Sequence, residues 1–390
     1  MSSRKMLMVP GPTEVEADTL DALARPVVPH YGTEWGETYK DTCEDLKKFF
    51  QTKGDVILLN APGMAGVELA IANLIEPGSK VLNVLNGFFG EWSSDVIKRH
   101  KGIPIDVEVE YGKAISPDEV RSVMRKEHDI KLLFAVHNES STGAVNPIRE
   151  LGEIAREFRV PFAVDFISSF GGTEIKMDDW GVTIAVGYSS KALGGINGVT
   201  PVALQPSVWE SVRNRSDPMT GRFLNLNVWR KFIDEWGSWG HPHPTSMPTS
   251  VIMALRAAIA AALKEGLDRR YKRHRIAAEA MRAGAKSMGL QIYTDERVAS
   301  NTLTVLKTTP DIEAKLREIM YSRYDILIAG GLSKLAKKTL RIAHMGTSAS
   351  PHYILPTLTC LAMSLRTLGI KVNLESSVYQ ASEVFEHSLS

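Results

Sequence analysis

Five short segments of this chain carry residue types that do group-transfer chemistry, and each lies at or just after a short apolar run. Asn60-Ala61-Pro62-Gly63-Met64 opens a helical pattern, and a helix N-terminus offers free N–H groups to a phosphate. Asn86-Gly87-Phe88-Phe89-Gly90 offers an aromatic face, and Asn138-Glu139-Ser140-Ser141-Thr142-Gly143 offers hydroxyls. Val164-Asp165-Phe166-Ile167-Ser168-Ser169 carries a carboxylate inside an apolar run, and Ser190-Lys191-Ala192-Leu193-Gly194-Gly195 carries an amine in a tight loop. The set matches the needs of pyridoxal phosphate. A phosphate wants a helix N-terminus and hydroxyls, and the pyridine ring wants an aromatic on its face. The ring nitrogen wants a carboxylate that keeps it protonated, which makes the ring an electron sink, and the aldehyde wants a lysine amine for a Schiff base.

Taken singly, these residues have plainer readings. An Asp in an apolar strand is ordinarily a buried ion pair or hydrogen bond, a Lys after a strand is ordinarily a solvated surface group, and Phe89 alone reads as core. The glycines at 194, 195 and 198 form neither a GxGxxG nor a P-loop pattern. Convergence on one edge is what favours chemistry, and that depends on the elements.

Apolar runs at 55–59, 79–85, 104–109, 131–137, 161–167, 183–189 and 198–205 read as seven strands. Helical patterns separate them, from Gly63 to Ile75 and after Pro147, where Ile148, Leu151, Ile154, Ala155 and Phe158 share a face. The alternation predicts an α/β fold with a mostly parallel sheet, whose ligands bind beyond the carboxyl ends of the strands. The last third changes character. Helices are expected over 249–267, 269–288, 311–321 and finally 353–368, with strands at 290–294, 302–306, 326–328 and 339–343, giving a smaller α+β unit. The expected organisation is an N-terminal arm over 1–20, a large domain over 21–267 and a small domain over 268–390.

Composition narrows the classes. With 390 residues, 44% hydrophobic and 23% charged, the chain is neither disordered nor a bundle of membrane spans, and the apolar stretch around 252–263 is too short to span. Lys plus Arg is 46 against 45 for Asp plus Glu, which argues against nucleic-acid binding by bulk charge. Two cysteines, Cys43 and Cys360, allow neither a disulfide framework nor a CxxC zinc site, and no metal is expected. The N-terminus lacks the apolar region of a secretory signal, so a cytoplasmic enzyme is the expectation.

The same segments resemble a known family, the alanine–glyoxylate and serine–pyruvate aminotransferases of class V, within fold-type I pyridoxal-phosphate enzymes. The resemblance spans nearly the whole chain, from Val9-Pro10-Gly11-Pro12-Thr13 through the segments above to Leu340-Arg341-Ile342. It implies a Schiff base on Lys191, which also moves the proton between substrate and cofactor, with Asp165 paired to the ring nitrogen. Phe89 would stack on the ring, Ile167 would pack on its other face, and Ser140 would bond near its hydroxyl. Gly63 and Met64 would give N–H groups to the phosphate, helped by Ser190. Arg341 would fork onto the substrate carboxylate, with Pro12 and Tyr31 near the substrate. The segment holding His243 and Ser246 would reach the neighbouring subunit's phosphate, implying a homodimer with shared sites. A ping-pong transfer from alanine or serine to glyoxylate or pyruvate follows.

Two positions depart from the family pattern. Pro62 stands where relatives carry Ser or Thr, and Ser190 where they often carry Gln, which thins the phosphate cup. A transaminase acting on unphosphorylated pyridoxamine and pyruvate is therefore the alternative. A lyase or desulfurase is disfavoured because neither cysteine lies on a mobile-loop pattern. A nicotinamide dehydrogenase is disfavoured because Ala61-Pro62-Gly63-Met64-Ala65-Gly66 is not its fingerprint. A cofactor-free binding protein would have no need of Lys191, Asp165 and Arg341 together.

Overall fold

The structure of the protein, a computed structural model, describes residues 5–388. Seven strands form the large sheet: β1 (Asp55–Leu59), β2 (Lys80–Leu85), β3 (Ile103–Glu108), β4 (Ile130–Val136), β5 (Phe162–Asp165), β6 (Ile184–Val186) and β7 (Thr200–Leu204). Their order is β1-β7-β6-β5-β4-β2-β3. All neighbours run parallel except β7, which is antiparallel to both β1 and β6. Leu132, Leu133, Phe134 and Ala135 of β4 are wholly buried, as befits a strand covered by helices on both faces. The expected mostly parallel α/β sheet is therefore present. Strand ends differ from the apolar runs by up to three residues: the run 183–189 stops pairing at Val186, and the strands Ile103–Glu108 and Ile130–Val136 each begin and end one residue earlier than their runs.

Register aligns the carboxyl edge. Val136 pairs with Asp165, and Asp165 with Val186, so three strands end in one row. The His137 N–H donates to the Asp165 carbonyl at 2.9 Å, which continues the row into the loops. The chain that follows each of the six parallel strands must emerge on this edge, which is why segments far apart in sequence meet.

A second core, built from Met281, Leu306, Ile342, Leu358 and Leu361 among others, lies under a three-stranded antiparallel sheet. That sheet consists of β8 (Leu303–Lys307), β9 (Ala329–Gly330) and β10 (Thr339–Ala343), with β10 central. Gly266, at φ 86°, separates helix Thr249–Glu265 from helix Leu267–Ser287. Two expectations for this region need correcting, the strand at 290–294 and the last helix, while the strand expected at 326–328 is present over Ile326–Leu327. The segment 290–294 is no strand, since only Ile292 bridges Leu306. The strand at Ile326–Leu327 pairs in parallel with Met6–Leu7, so the start of the chain is stitched to this unit. Helix Pro351–Thr367 is not the last, because Leu374–His387 follows and packs on helix Leu267–Ser287, where a Cβ on Gly284 would collide with the Ser377 carbonyl and Leu358.

Candidate active site

Lys191 lies in the loop between β6 and β7. The Gly194 N–H closes a turn onto the Lys191 carbonyl at 2.9 Å, and the Thr13 hydroxyl donates to that carbonyl at 3.0 Å. The Lys191 ammonium donates to the Pro10 carbonyl, and Gly11 passes so close that a Cβ there would lie 2.7 Å from Lys191 Nζ. The Pro10-Gly11-Pro12 segment thus walls the amine, with Pro12 itself exposed. Burial pushes the Lys191 amine down to about 8, and the Arg341 guanidinium adds to this, while Asp165 pulls the other way.

Asp165 ends β5. Its Oδ1 accepts from the Ile167 N–H at 2.7 Å, and its second oxygen has no hydrogen-bond partner among the described residues. Burial raises the carboxyl to about 7, with the Ile167 bond and Lys191 opposing and Glu139 adding. A buried carboxylate with an unused oxygen is a receptor for a cationic N–H.

Helix Gly63–Leu74 begins beside it. Its cap is Pro62, which supplies no side-chain bond to the first turn. Ile167 presses on this turn, since a Cβ on Gly63 would lie 2.6 Å from Ile167 Cδ1. Met64 is exposed. The helix terminus is open to an anion, in the way a phosphate needs.

Arg341 enters from the centre of β10, opposite Val305 and Ala329. Nε donates to the Gly330 carbonyl at 2.8 Å and Nη1 to the Ser140 carbonyl at 3.3 Å. Burial lowers it to about 10, opposed by Glu139, so it stays charged at neutral pH. Ser140 is buried and meets Arg341 through its carbonyl.

Glu139, to which the sequence reading gave no role, organises this side. Its Oε2 accepts from the Phe89 and Gly90 N–H groups at 3.0 and 3.2 Å, and its Oε1 from the Ser141 N–H and hydroxyl at 3.0 and 2.6 Å. Ser141 Oγ in turn accepts from the Phe88 N–H at 2.9 Å. The pair therefore caps helix Phe88–Arg99, and it requires glycine at 87, where a Cβ would sit 2.3 Å from Glu139 Cγ. This cap sets where Phe89 stands. An acidic residue directly after an apolar strand was the available signal.

Three expected donors are placed differently. His243 donates or accepts on both sides within its own chain, Nε2 taking the Trp35 indole N–H at 2.8 Å and Nδ1 facing the Thr245 carbonyl at 2.8 Å. Burial pushes its imidazole down to about 4, so it is neutral at neutral pH. Ser190 spends its hydroxyl on the Asn197 amide oxygen. Ser246 is exposed, and its carbonyl accepts from Asn60 at 3.3 Å, which places this loop beside the end of β1. Tyr31 is exposed and stacks on Trp239 with ring centroids 5.8 Å apart. His344, three residues after Arg341, is wholly buried between Thr304 Oγ1 and the Asn301 carbonyl, each at 3.1 Å.

Comparison with known proteins matches the chain to one family. The family model for class-V aminotransferases matches residues 17–343. An uncharacterized aminotransferase of Methanocaldococcus jannaschii is 37% identical over 382 residues, covering 98% of this chain and 97% of its own. The alanine–glyoxylate aminotransferase of Drosophila melanogaster is 30% identical, covering 95% of each. The crystal structure of the ureidoglycine–glyoxylate aminotransferase of Bacillus subtilis superposes with a TM-score of 0.94 at 28% identity, covering 99% of each chain.

Proposed function

The chain belongs to the class V aminotransferases of fold-type I, and from that premise we propose that it moves an amino group from alanine or serine to glyoxylate or pyruvate in a ping-pong sequence. The observation that carries this reading is that one sheet edge gathers Asp165 at the end of β5, Lys191 in the loop after β6, and Arg341, whose Nη1 reaches the Ser140 carbonyl in the loop after β4. A lysine, a carboxylate and a carboxylate-binding cation thereby share one crevice.

The donor set fits pyridoxal phosphate. Asp165 keeps an oxygen for a ring N–H, the uncapped turn at Gly63 and Met64 faces an anion, and Lys191 supplies the amine. When bound, that group supplies the electron sink that stabilises an amino acid deprotonated at Cα. The protein's own residues do the rest. Asp165, as a carboxylate, holds the ring nitrogen protonated, and a cation placed there draws its pKa back down from about 7. Arg341 binds the amino acid's carboxylate with the donors its two carbonyl bonds leave free. Lys191 Nζ takes the Cα proton and returns it, and its lowered pKa makes the neutral amine accessible near neutral pH. The Pro10-Gly11-Pro12 wall limits water at the amine.

Arg341 reaches this edge and provides for one substrate carboxylate, which favours small monoacids over aspartate. We also place the protein in a homodimer. Tyr31, Trp236 and Trp239 form an exposed aromatic patch, and Thr245 and Ser246 lie beside it on an accessible loop.

The test is a visible spectrum of the purified protein with cofactor, before and after L-alanine and without any oxo acid. A band that shifts to the pyridoxamine form supports the reading. No band with the phosphorylated cofactor, but turnover of free pyridoxamine with pyruvate, sinks it in favour of the unphosphorylated vitamer that Pro62 brings to mind.

A further inference from the structure

One buried guanidinium holds the two carbonyls that follow Lys191. Arg270, in the first turn of helix Leu267–Ser287, donates from Nη2 to the Ala192 and Leu193 carbonyls at 2.8 and 2.9 Å. Its Nε donates to the Gly171 carbonyl at 2.8 Å, and its Nη1 to Glu265 Oε2 at 2.8 Å. Glu265 also receives Arg273, Nε to Oε1 at 2.6 Å. Arg273 Nη1 then reaches the Gly346 and Ala349 carbonyls, both at 2.8 Å, in the turn that follows β10. The two turns touch, since a Cβ on Gly346 would lie 3.1 Å from the Gly194 Cα.

We propose that Arg270 is a positioning residue for Lys191, fixing the lysine loop and tying it through Glu265 and Arg273 to the strand that carries Arg341. The inference rests on Lys191 being the functional amine. A guanidinium presents its donors in one rigid plane, and here they bind four oxygens on three segments, a geometry that an ammonium on a flexible stem does not reproduce. Burying that charge costs desolvation that an apolar side chain of similar volume avoids, so fold stability is a weak reason for it. Placement is the stronger one. The carbonyls that Arg270 holds are those of Gly171 and of the two residues next to Lys191, and through Glu265 the network reaches Arg273 and the turn that follows β10. In sequence, Arg269-Arg270 reads as an ordinary solvated helix face, so only the fold reveals this role.

Arg270→Lys keeps the charge opposite Glu265 and loses the fork, and Arg270→Ala is studied with and without methylguanidinium. The first readout uses cofactor-free protein: competitive acetylation of Lys191 across pH, quantified on its peptide by mass spectrometry. The charged groups facing the amine are Asp165 from β5 and Arg341 from β10. The wild-type midpoint is expected near the value of about 8. Loosening the loop admits water and is expected to raise the midpoint by about one unit in both variants, with methylguanidinium reversing it in Arg270→Ala. The second readout is steady-state kinetics with alanine, where kcat falls about tenfold or more while KM changes little, as for a misplaced reacting group. Folded variants with wild-type labelling midpoints and wild-type kcat would overturn the proposal. The function reading is judged separately. If borohydride does not fix the cofactor onto Lys191 in the wild type, that reading fails, while the labelling of cofactor-free protein still decides whether Arg270 places the lysine.

Discussion

Replacing Asp165 by Asn gives the sharpest test of the site's electrostatics, because the same carboxylate should harm the empty protein and serve the loaded one. In the cofactor-free protein burial raises Asp165 from 3.8 to about 7. The native state then holds the proton more tightly than the unfolded chain, so stability falls as pH rises from 3.8 to about 7 and levels above it. At pH 8.5 the penalty is about three pH units at about 1.4 kcal/mol each, or about 4 kcal/mol, and at pH 5 it is about 2 kcal/mol. Asparagine keeps an oxygen for the Ile167 N–H and never ionises. Cofactor-free Asp165→Asn should therefore be more stable than wild type, by a margin that grows from pH 5 to 7 and is flat beyond. Urea unfolding at several pH values measures it. With saturating cofactor the order should reverse, since only the carboxylate pairs with a protonated ring. A stability difference that does not change with pH, or a loaded variant as stable as the loaded wild type, would refute the reasoning.

Other outcomes follow from neighbouring groups. Capture of the cofactor by the empty protein should rise with pH around a midpoint of about 8, the lowered value for Lys191, and Lys191→Ala should bind cofactor reversibly with no turnover, read by absorbance and assay. Arg341→Lys should raise the alanine KM by about tenfold to a hundredfold with a smaller change in kcat, from loss of the planar fork. Glu139→Ala leaves the buried N–H groups of Phe89, Gly90 and Ser141 unpaired, and at about 1–3 kcal/mol per group it should unfold at markedly lower urea. Gly63→Ala should weaken cofactor binding about tenfold by pushing on Ile167 Cδ1, and Gly63→Ala with Ile167→Val should recover most of it, measured by equilibrium titration.

The large sheet was legible because its strands are buried on both faces, so each shows as an apolar run between helical patterns. Asp165 and Lys191 were legible because a charged residue in or just after an apolar run stands out against it, and Arg341 because it interrupts the short run 339–343. The region after 290 read less well. The Met6–Leu7 pairing with Ile326–Leu327 joins segments about 320 residues apart, and two-residue strands carry no periodicity. Helix Leu374–His387 was missed although Leu374, Val378, Ala381 and Phe385 recur at helical spacing, because its buried residues, Ser377 and Ala381, are small and weakly apolar.

Local chemistry by itself determined which residues ionise, which turns stay open for want of a side-chain cap, and where apolar runs must be buried. Tertiary structure decided what each polar group is free to do. His243 and Ser190 have the right chemistry for a phosphate, but Trp35, Thr245 and Asn197 already occupy them. Glu139 and Arg270 look like surface charges in the chain, yet they are buried where helix and loop leave N–H and C=O groups to satisfy. A hydrogen-bonding group can be spent only once, and which partner takes it depends on contacts between distant segments that no local pattern encodes.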